Sequence, residues 1–158
     1  MNAKTIKESK VESVELIQPS DLNVNNTLFG GRLVSFVDEV AAICAYRHTQ
    51  MNVATASIDQ LDFRRPVPVK SILTLRASVN RVFNTSMEIG VKVTMRLHTE
   101  PGDHDVCSAY LTFVGVNEQG EPTEIPQGTP ESEDEKRRYH NALKRRELRF
   151  KLKDELNQ

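Results

Sequence analysis

The sequence predicts an α+β domain in which a curved antiparallel sheet wraps one long buried helix. Two observations carry this prediction. From Arg32 to about His48 the pattern is helical, yet Leu33, Val34, Phe36, Val37, Val40 and Ala41 to Ala45 occupy nearly every side of it, and a helix that is apolar all round is a buried one. Farther along, Ser71 to Arg81 and Met87 to Leu97 alternate apolar and polar residues with period two, the signature of half-buried antiparallel strands. At 158 residues, 38% of them apolar, the chain is one domain with enough apolar side chains for a single core.

The elements follow in order. Residues 1 to 10 are polar and read as a flexible N-terminus. Val11 to Ile17 alternates as a first strand or extended arm, and Gln18-Pro19-Ser20-Asp21 stops it with turn residues. An asparagine-rich loop, residues 23 to 27, leads into Leu28-Phe29-Gly30-Gly31 and the apolar helix. Ser57 to Phe63 is the next strand, closed by Arg64-Arg65-Pro66. The two alternating strands meet at Asn84-Thr85-Ser86. Val106 to Val116, apolar on both faces, reads as a central strand. The compact domain is thus bounded at 11–121. Residues 122–130, with three prolines and a glycine, read as a linker, and 131–158 as a C-terminal basic helix with Thr129 as N-cap and Pro130 opening its first turn. Leu148, Leu152 and Leu156 recur every four residues, a stripe expected to dock this helix on the protein's own core.

Charge is balanced overall, with 21 basic against 22 acidic side chains, which excludes a strong uniform field for DNA or anionic lipid. It is not evenly spread. The last 28 residues hold nine of the basic and seven of the acidic side chains, with the acids clustered at the two ends of the segment. Cys44 and Cys107 lie in apolar stretches with no metal-ligand or redox spacing and read as buried thiols of a reducing compartment. No secretory signal and no apolar run of about 18 residues is present, so a cytoplasmic protein without a membrane partner is expected.

Asp38 stands out because it lies inside the apolar helix, where an unpartnered carboxylate is costly. Its neighbours on the same helical face, Val34, Ser35, Ala41, Ala42 and, two turns on, Ala45, are mostly small. It is either a hydrogen-bonded structural acid or a site acid with room beside it. Glu39 is turned 100° away and is expected to pair with Arg32, Arg64 or Arg65. Gly30-Gly31 either makes a tight loop-to-helix turn or brings a ligand to the free N–H groups of the first helical turn, a ready oxyanion site.

The run from Asp21 through Asn23, Phe29, Gly30, Gly31, Asp38 and Glu39 to Ala42 resembles the hotdog-fold acyl-CoA thioesterases, specifically the group of cytosolic acyl-CoA hydrolases. The resemblance extends through Thr55 to Val67, through Asn84 to Glu88, and into Tyr139 to Leu152. It implies hydrolysis of fatty acyl-CoA to free acid and CoA. Asp38 would be general base or nucleophile, Asn23 would position water or thioester, Thr55 would assist, and the Gly31 N–H would serve the oxyanion. It implies a homodimer whose site takes Asn23 from one protomer and Asp38 from its partner, and trimers of such dimers. CoA is then substrate and not cofactor, and neither cofactor nor metal is called for. Arg64, Arg65, Asn84, Thr85, Ser86, Arg145 and Arg146 are the residues expected to meet its phosphates, because guanidinium forks suit phosphate oxygens. For any single arginine a solvated surface charge is the simpler reading.

Phe29 stands where many hotdog thioesterases have histidine, which disfavours a dehydratase, since that chemistry needs a histidine paired with an acid. None of His48, His98, His104 or His140 is assigned to catalysis. Two rival classes remain: an acyl-CoA or nucleotide sensor on the same fold, and a nucleic-acid or partner-binding arm in the basic helix. The sensor lacks an effector domain in so short a polar N-terminus. The arm is opposed by the acidic first turn and the leucine stripe, so no nucleic-acid partner is expected.

Overall fold

The computed structural model describes residues 1–157. A five-stranded antiparallel sheet is built from β2 (Val11–Leu16), β3 (Val53–Phe63), β4 (Ile72–Val82), β5 (Ser86–Arg96) and β6 (Asp103–Gly115), in the spatial order β2-β4-β5-β6-β3. Its concave face holds the helix α1 (Gly30–Thr49), and α2 (Glu133–Leu156) crosses the other face. The short strands β1 (Lys4–Thr5) and β7 (Gly128–Thr129) pair in parallel beside it. This is the α+β hotdog arrangement the sequence anticipates.

Alternation decides which side chains enter the core. Leu73, Leu75, Ala77 and Val79 of β4 lie opposite Met95, Val93, Val91 and Ile89 of β5, all 4% exposed or less. They meet Leu33, Val37, Val40, Ala41 and Cys44 of α1, which are equally buried. Burying a Leu or Val side chain is worth roughly 1.5–3 kcal/mol, so this seam dominates the fold. The helix ends where Gln50 turns left-handed, with its N–H bonded to the Tyr46 carbonyl at 2.7 Å.

Several expectations are corrected. α1 is not covered all round: Ile43 is 51% and Tyr46 61% exposed within the protomer. The reason is that the sheet curls round one side only. Residues 1–10, read as a flexible lead-in, are folded down, because Ile6 supplies a fully buried side chain. A 3-10 turn, Ile6–Ser9, carries Ser9 to the buried His48 at the end of α1, with Oγ 2.8 Å from Nδ1. The other ring nitrogen lies 2.9 Å from the Pro126 carbonyl. A carbonyl only accepts, so Nε2 carries the proton and Nδ1 accepts from Ser9; burial keeps this imidazole below its ordinary pKa.

The 122–130 segment is likewise packed, with Ile125 buried against Gly115 and the Thr123 N–H bonded to the Gly115 carbonyl at 2.9 Å. The N-cap of α2 is Ser132, not Thr129, because Ser132 and Glu135 form a reciprocal capping box that Thr129 is too early to make. The leucine stripe does not dock on the chain's own core: Leu148, Leu152 and Leu156 are 65%, 56% and 76% exposed. Among the described residues no helix is long and apolar enough to cross a membrane.

Candidate active site

The loop before α1 is held rigidly, and the sequence explains how. Asp21 is a buried acid whose carboxylate accepts from the Gln18 N–H at 2.8 Å and from Arg32 Nε at 3.1 Å. Arg32 also stacks its guanidinium 4.1 Å from the Phe36 ring. The Phe29 N–H donates to the Asp21 carbonyl at 2.8 Å and the Leu28 N–H to Val67 at 2.7 Å. Asn23 folds back on its own loop: its side-chain carbonyl accepts from the N–H of Asn25 at 2.8 Å and of Thr27 at 3.3 Å. Such an Asx turn needs Asn or Asp.

This scaffold delivers Gly30 and Gly31 into the first turn of α1. Phe29 caps the helix without a side-chain acceptor, so the first N–H groups have no carbonyl of their own helix to bond. A Cβ on Gly31 would lie 2.6 Å from Cε1 of Phe29, so the glycine is what lets that ring fold over the helix start. Phe63, at the end of β3, reaches Gly30 from the other side. Two turns along, Asp38 is half-buried, and its Oδ1 accepts a 2.8 Å hydrogen bond from Thr55 Oγ1 on β3. Thr55, itself exposed, lies opposite the buried Phe113 of β6 and so projects on the α1 side of the sheet, where its hydroxyl holds one oxygen of the carboxylate. β3 is an edge strand, with β6 its only neighbour among the described residues.

Glu39 forms no ion pair among the described residues. Ser35 hydroxyl donates to it at 3.5 Å, and Arg32 is taken by Asp21. Arg64 and Arg65, both exposed, line a cavity of about 270 Å³ with Leu28, Leu33, Phe63, Pro66 and Val67, beside the start of α1. A larger cavity, about 690 Å³, lies on the opposite face of the sheet under the start of α2 and contains neither Gly31 nor Asp38. Gly31 and Asp38 do not line the smaller cavity either, but it lies beside the start of α1, the helix that carries them.

Of the residues expected to meet phosphate, only Ser86 and Arg146 are joined, Arg146 Nη1 donating to Ser86 Oγ at 3.2 Å. Arg146 has no carboxylate partner among the described residues and lies between the rings of Phe83 and Phe150, at 4.1 and 4.8 Å. Burial, with Arg149 nearby, pulls its pKa down. Phe83 and Phe150 were not foreseen, since nothing in sequence joins positions 67 residues apart. Asn84 and Thr85 turn main-chain carbonyls to Ile125 and Gly115. Arg145 is taken: its fork binds the buried Glu88, with Nη2–Oε1 at 2.7 Å and Nε–Oε2 at 3.1 Å, and its plane stacks 3.8 Å over Tyr110. Several other basic residues of α2 are paired with acids, Lys136 with Glu133, Arg137 and Arg138 with Asp134, and Arg149 with Asp59.

Comparison with known proteins identifies the family. The Thioesterase superfamily description matches residues 25–96. The chain is 39% identical over 140 residues to the uncharacterized acyl-CoA thioester hydrolase YkhA of Bacillus subtilis, covering 88% of this chain and 81% of that one. A hexameric acyl-CoA thioesterase solved in its apo form superposes with a TM-score of 0.91 at 35% identity, covering 96% of this chain and 97% of that chain. The acyl-CoA hydrolase of Staphylococcus aureus, solved with butyryl coenzyme A, coenzyme A and coenzyme A disulfide, superposes at 0.90 and 34% identity, covering 98% and 94%. That enzyme has also been solved with an aspartate, an asparagine and a threonine each changed to alanine. The fold, the length matched and the level of identity together make this chain a member of the acyl-CoA thioester hydrolases of the thioesterase superfamily.

Proposed function

We propose that this hydrolase cleaves fatty acyl-CoA with Asp38 as its central reacting group. The observation that carries the reading is the 2.8 Å bond from Thr55 to Asp38, two helical turns beyond the free N–H groups of Gly30 and Gly31. A thioester carbonyl is electrophilic enough to need only two aids: a carboxylate to take the proton of attacking water, and donors for the oxyanion that forms. The water oxygen bonds to the carbonyl carbon, its proton passes to Asp38, the C–S bond breaks, and the thiolate of CoA leaves with that proton. Asp38 acting directly as nucleophile gives the same products through an anhydride that water then opens. The Gly31 N–H serves the oxyanion.

In the staphylococcal enzyme the substituted asparagine, aspartate and threonine are spaced 15 and 17 residues apart, as Asn23, Asp38 and Thr55 are here. Among the described residues the side chain of Asn23 bonds only within its own loop; in this reading it faces Asp38 of a second protomer across the reaction centre. The unpaired edge of β3 and the exposed Ile43, Tyr46 and Phe63 support a dimer formed edge to edge through β3, and the hexameric relative supports three such dimers. Arg64 and Arg65 at the smaller cavity, the side chains of Asn84 and Thr85, and Ser86 with Arg146 are the cations and donors left for the CoA phosphates; Arg145, held by Glu88, is not one of them. The two free buried thiols suit a reducing, cytoplasmic setting.

The test is release of free thiol from acyl-CoA. Asp38→Ala lowers kcat by about 10²–10⁴-fold, the usual worth of a positioned acid or base. Thr55→Val removes one hydrogen bond to a charged group, about 1.5–3 kcal/mol, and lowers kcat by roughly tenfold or more with KM little changed. An Asp38→Ala enzyme with near-normal kcat sinks the assignment.

A further inference from the structure

The inward stripe of α2 runs through Glu135, Ala142, Arg145, Arg149, Leu152 and Leu156, spaced three and four residues apart from Ala142 onward. Its contacts mark out its course. Tyr139 stacks with Arg81 of β4, Arg145 binds Glu88 of β5 and covers Tyr110 of β6, and Arg149 binds Asp59 of β3. From Tyr139 to Arg149 is about 15 Å of helix at 1.5 Å per residue. The three strand spacings from β4 to β3, at about 4.8 Å each, come to nearly the same length. The helix therefore crosses the strands close to a right angle, and at Arg149, which bonds both Thr112 of β6 and Asp59 of β3, it reaches the edge of its own sheet.

Seven more residues carry it to Leu156, about 10 Å farther, or two strand spacings past the edge. At that point the stripe changes from charged to apolar. Leu152 and Leu156 are 56% and 76% exposed because none of the described strands lies beneath them, and Leu148 on the flank is 65% exposed. From Glu147 to Glu155 there are three acidic and three basic side chains, a balance with no field for an anionic membrane or nucleic acid.

We infer that the last two turns of α2 dock on a second copy of this chain, against the outer face of its sheet, across the seam where two β3 edges meet. This rests on the edge-to-edge dimer proposed above. The reach fits that continuation of the sheet: one strand spacing past the edge sets Leu152 over the partner's nearest strand, and two set Leu156 over the next. Two-fold symmetry makes the contact twice, so each helix end straps its subunit to the other from outside, on the face opposite the reacting groups.

The experiment mixes donor-labelled and acceptor-labelled full-length protein and follows subunit exchange by energy transfer, for the wild type and for Leu152→Glu/Leu156→Glu, with circular dichroism to check the fold. The wild type is expected to be oligomeric, and the double variant to exchange at least tenfold faster with unchanged helical signal. An oligomeric wild type whose double variant exchanges within twofold of it overturns the strap and leaves the edge pairing standing. A wild type that is monomeric by sedimentation overturns both. Should the glutamates disturb folding, Leu152→Ala/Leu156→Ala keeps the best helix former at both positions and must still exchange at least threefold faster; otherwise the strap is refuted.

Discussion

Replacing Glu135 by glutamine should weaken the fold at neutral pH and leave it almost unchanged in strong acid. The Glu135 side chain is 2% exposed. One of its oxygens binds Lys10 at 2.8 Å, and the other accepts from the N–H groups of Glu131 at 2.9 Å and Ser132 at 3.3 Å. A single carboxylate thus fastens the N-terminal segment to the first turn of α2. Burial alone would push its pKa up, but Lys10 and the two N–H donors more than reverse this and hold it at about 2, against 4.5 for an ordinary glutamate. At 1.36 kcal/mol per pH unit, the depression corresponds to about 3 kcal/mol. A depressed carboxyl stabilises the fold fully above the unfolded value of 4.5 and loses that contribution as the pH falls from there towards 2. The amide oxygen of the substituted glutamine can still accept an N–H bond, so about 3 kcal/mol is an upper bound. The assay is urea unfolding of wild type and Glu135→Gln at equal protein concentration between pH 2.5 and 7. A difference that is absent at pH 7, or equally large at pH 2.5, refutes the reasoning.

Two further outcomes follow from packing. Gly115→Ala should destabilise the protein by about 1–3 kcal/mol in urea unfolding, the usual cost of overpacking, because the new methyl group collides with the Ile125 side chain and approaches the Thr123 carbonyl at 3.2 Å; a neutral result would mean that the 122–130 segment is free to lift away. Burial pushes the thiols of Cys44 and Cys107 up to about 12 and 11, so neither should react with a thiol reagent in the native protein at pH 8, and both should react in urea. Fast native reaction of either one contradicts the packing described.

Much of the sheet was legible because period-two alternation records burial directly. Ser71 to Arg81 and Met87 to Leu97 fall within a residue or two of β4 and β5, since one face of each packs against α1. β3 begins four residues before the expected Ser57, and its early residues escape the pattern because an edge strand has few neighbours to bury it. The start of α2 was misplaced because Pro130 is a generic opening signal, while the capping box from Ser132 to Glu135 depends on side chains that bond back to the main chain.

The sequence alone determined the long strands, the glycine-led helix and the presence of an acid within it, because each is a local matter of residue type and spacing. Only the tertiary structure decided which of these residues work together. Thr55 meets Asp38 because the sheet curls an edge strand against α1. Arg146 keeps its charge for other uses while Arg145, one residue earlier, spends its own on Glu88. A step of one residue on a helix turns a side chain by 100°, and what it then faces depends on strands more than fifty residues away.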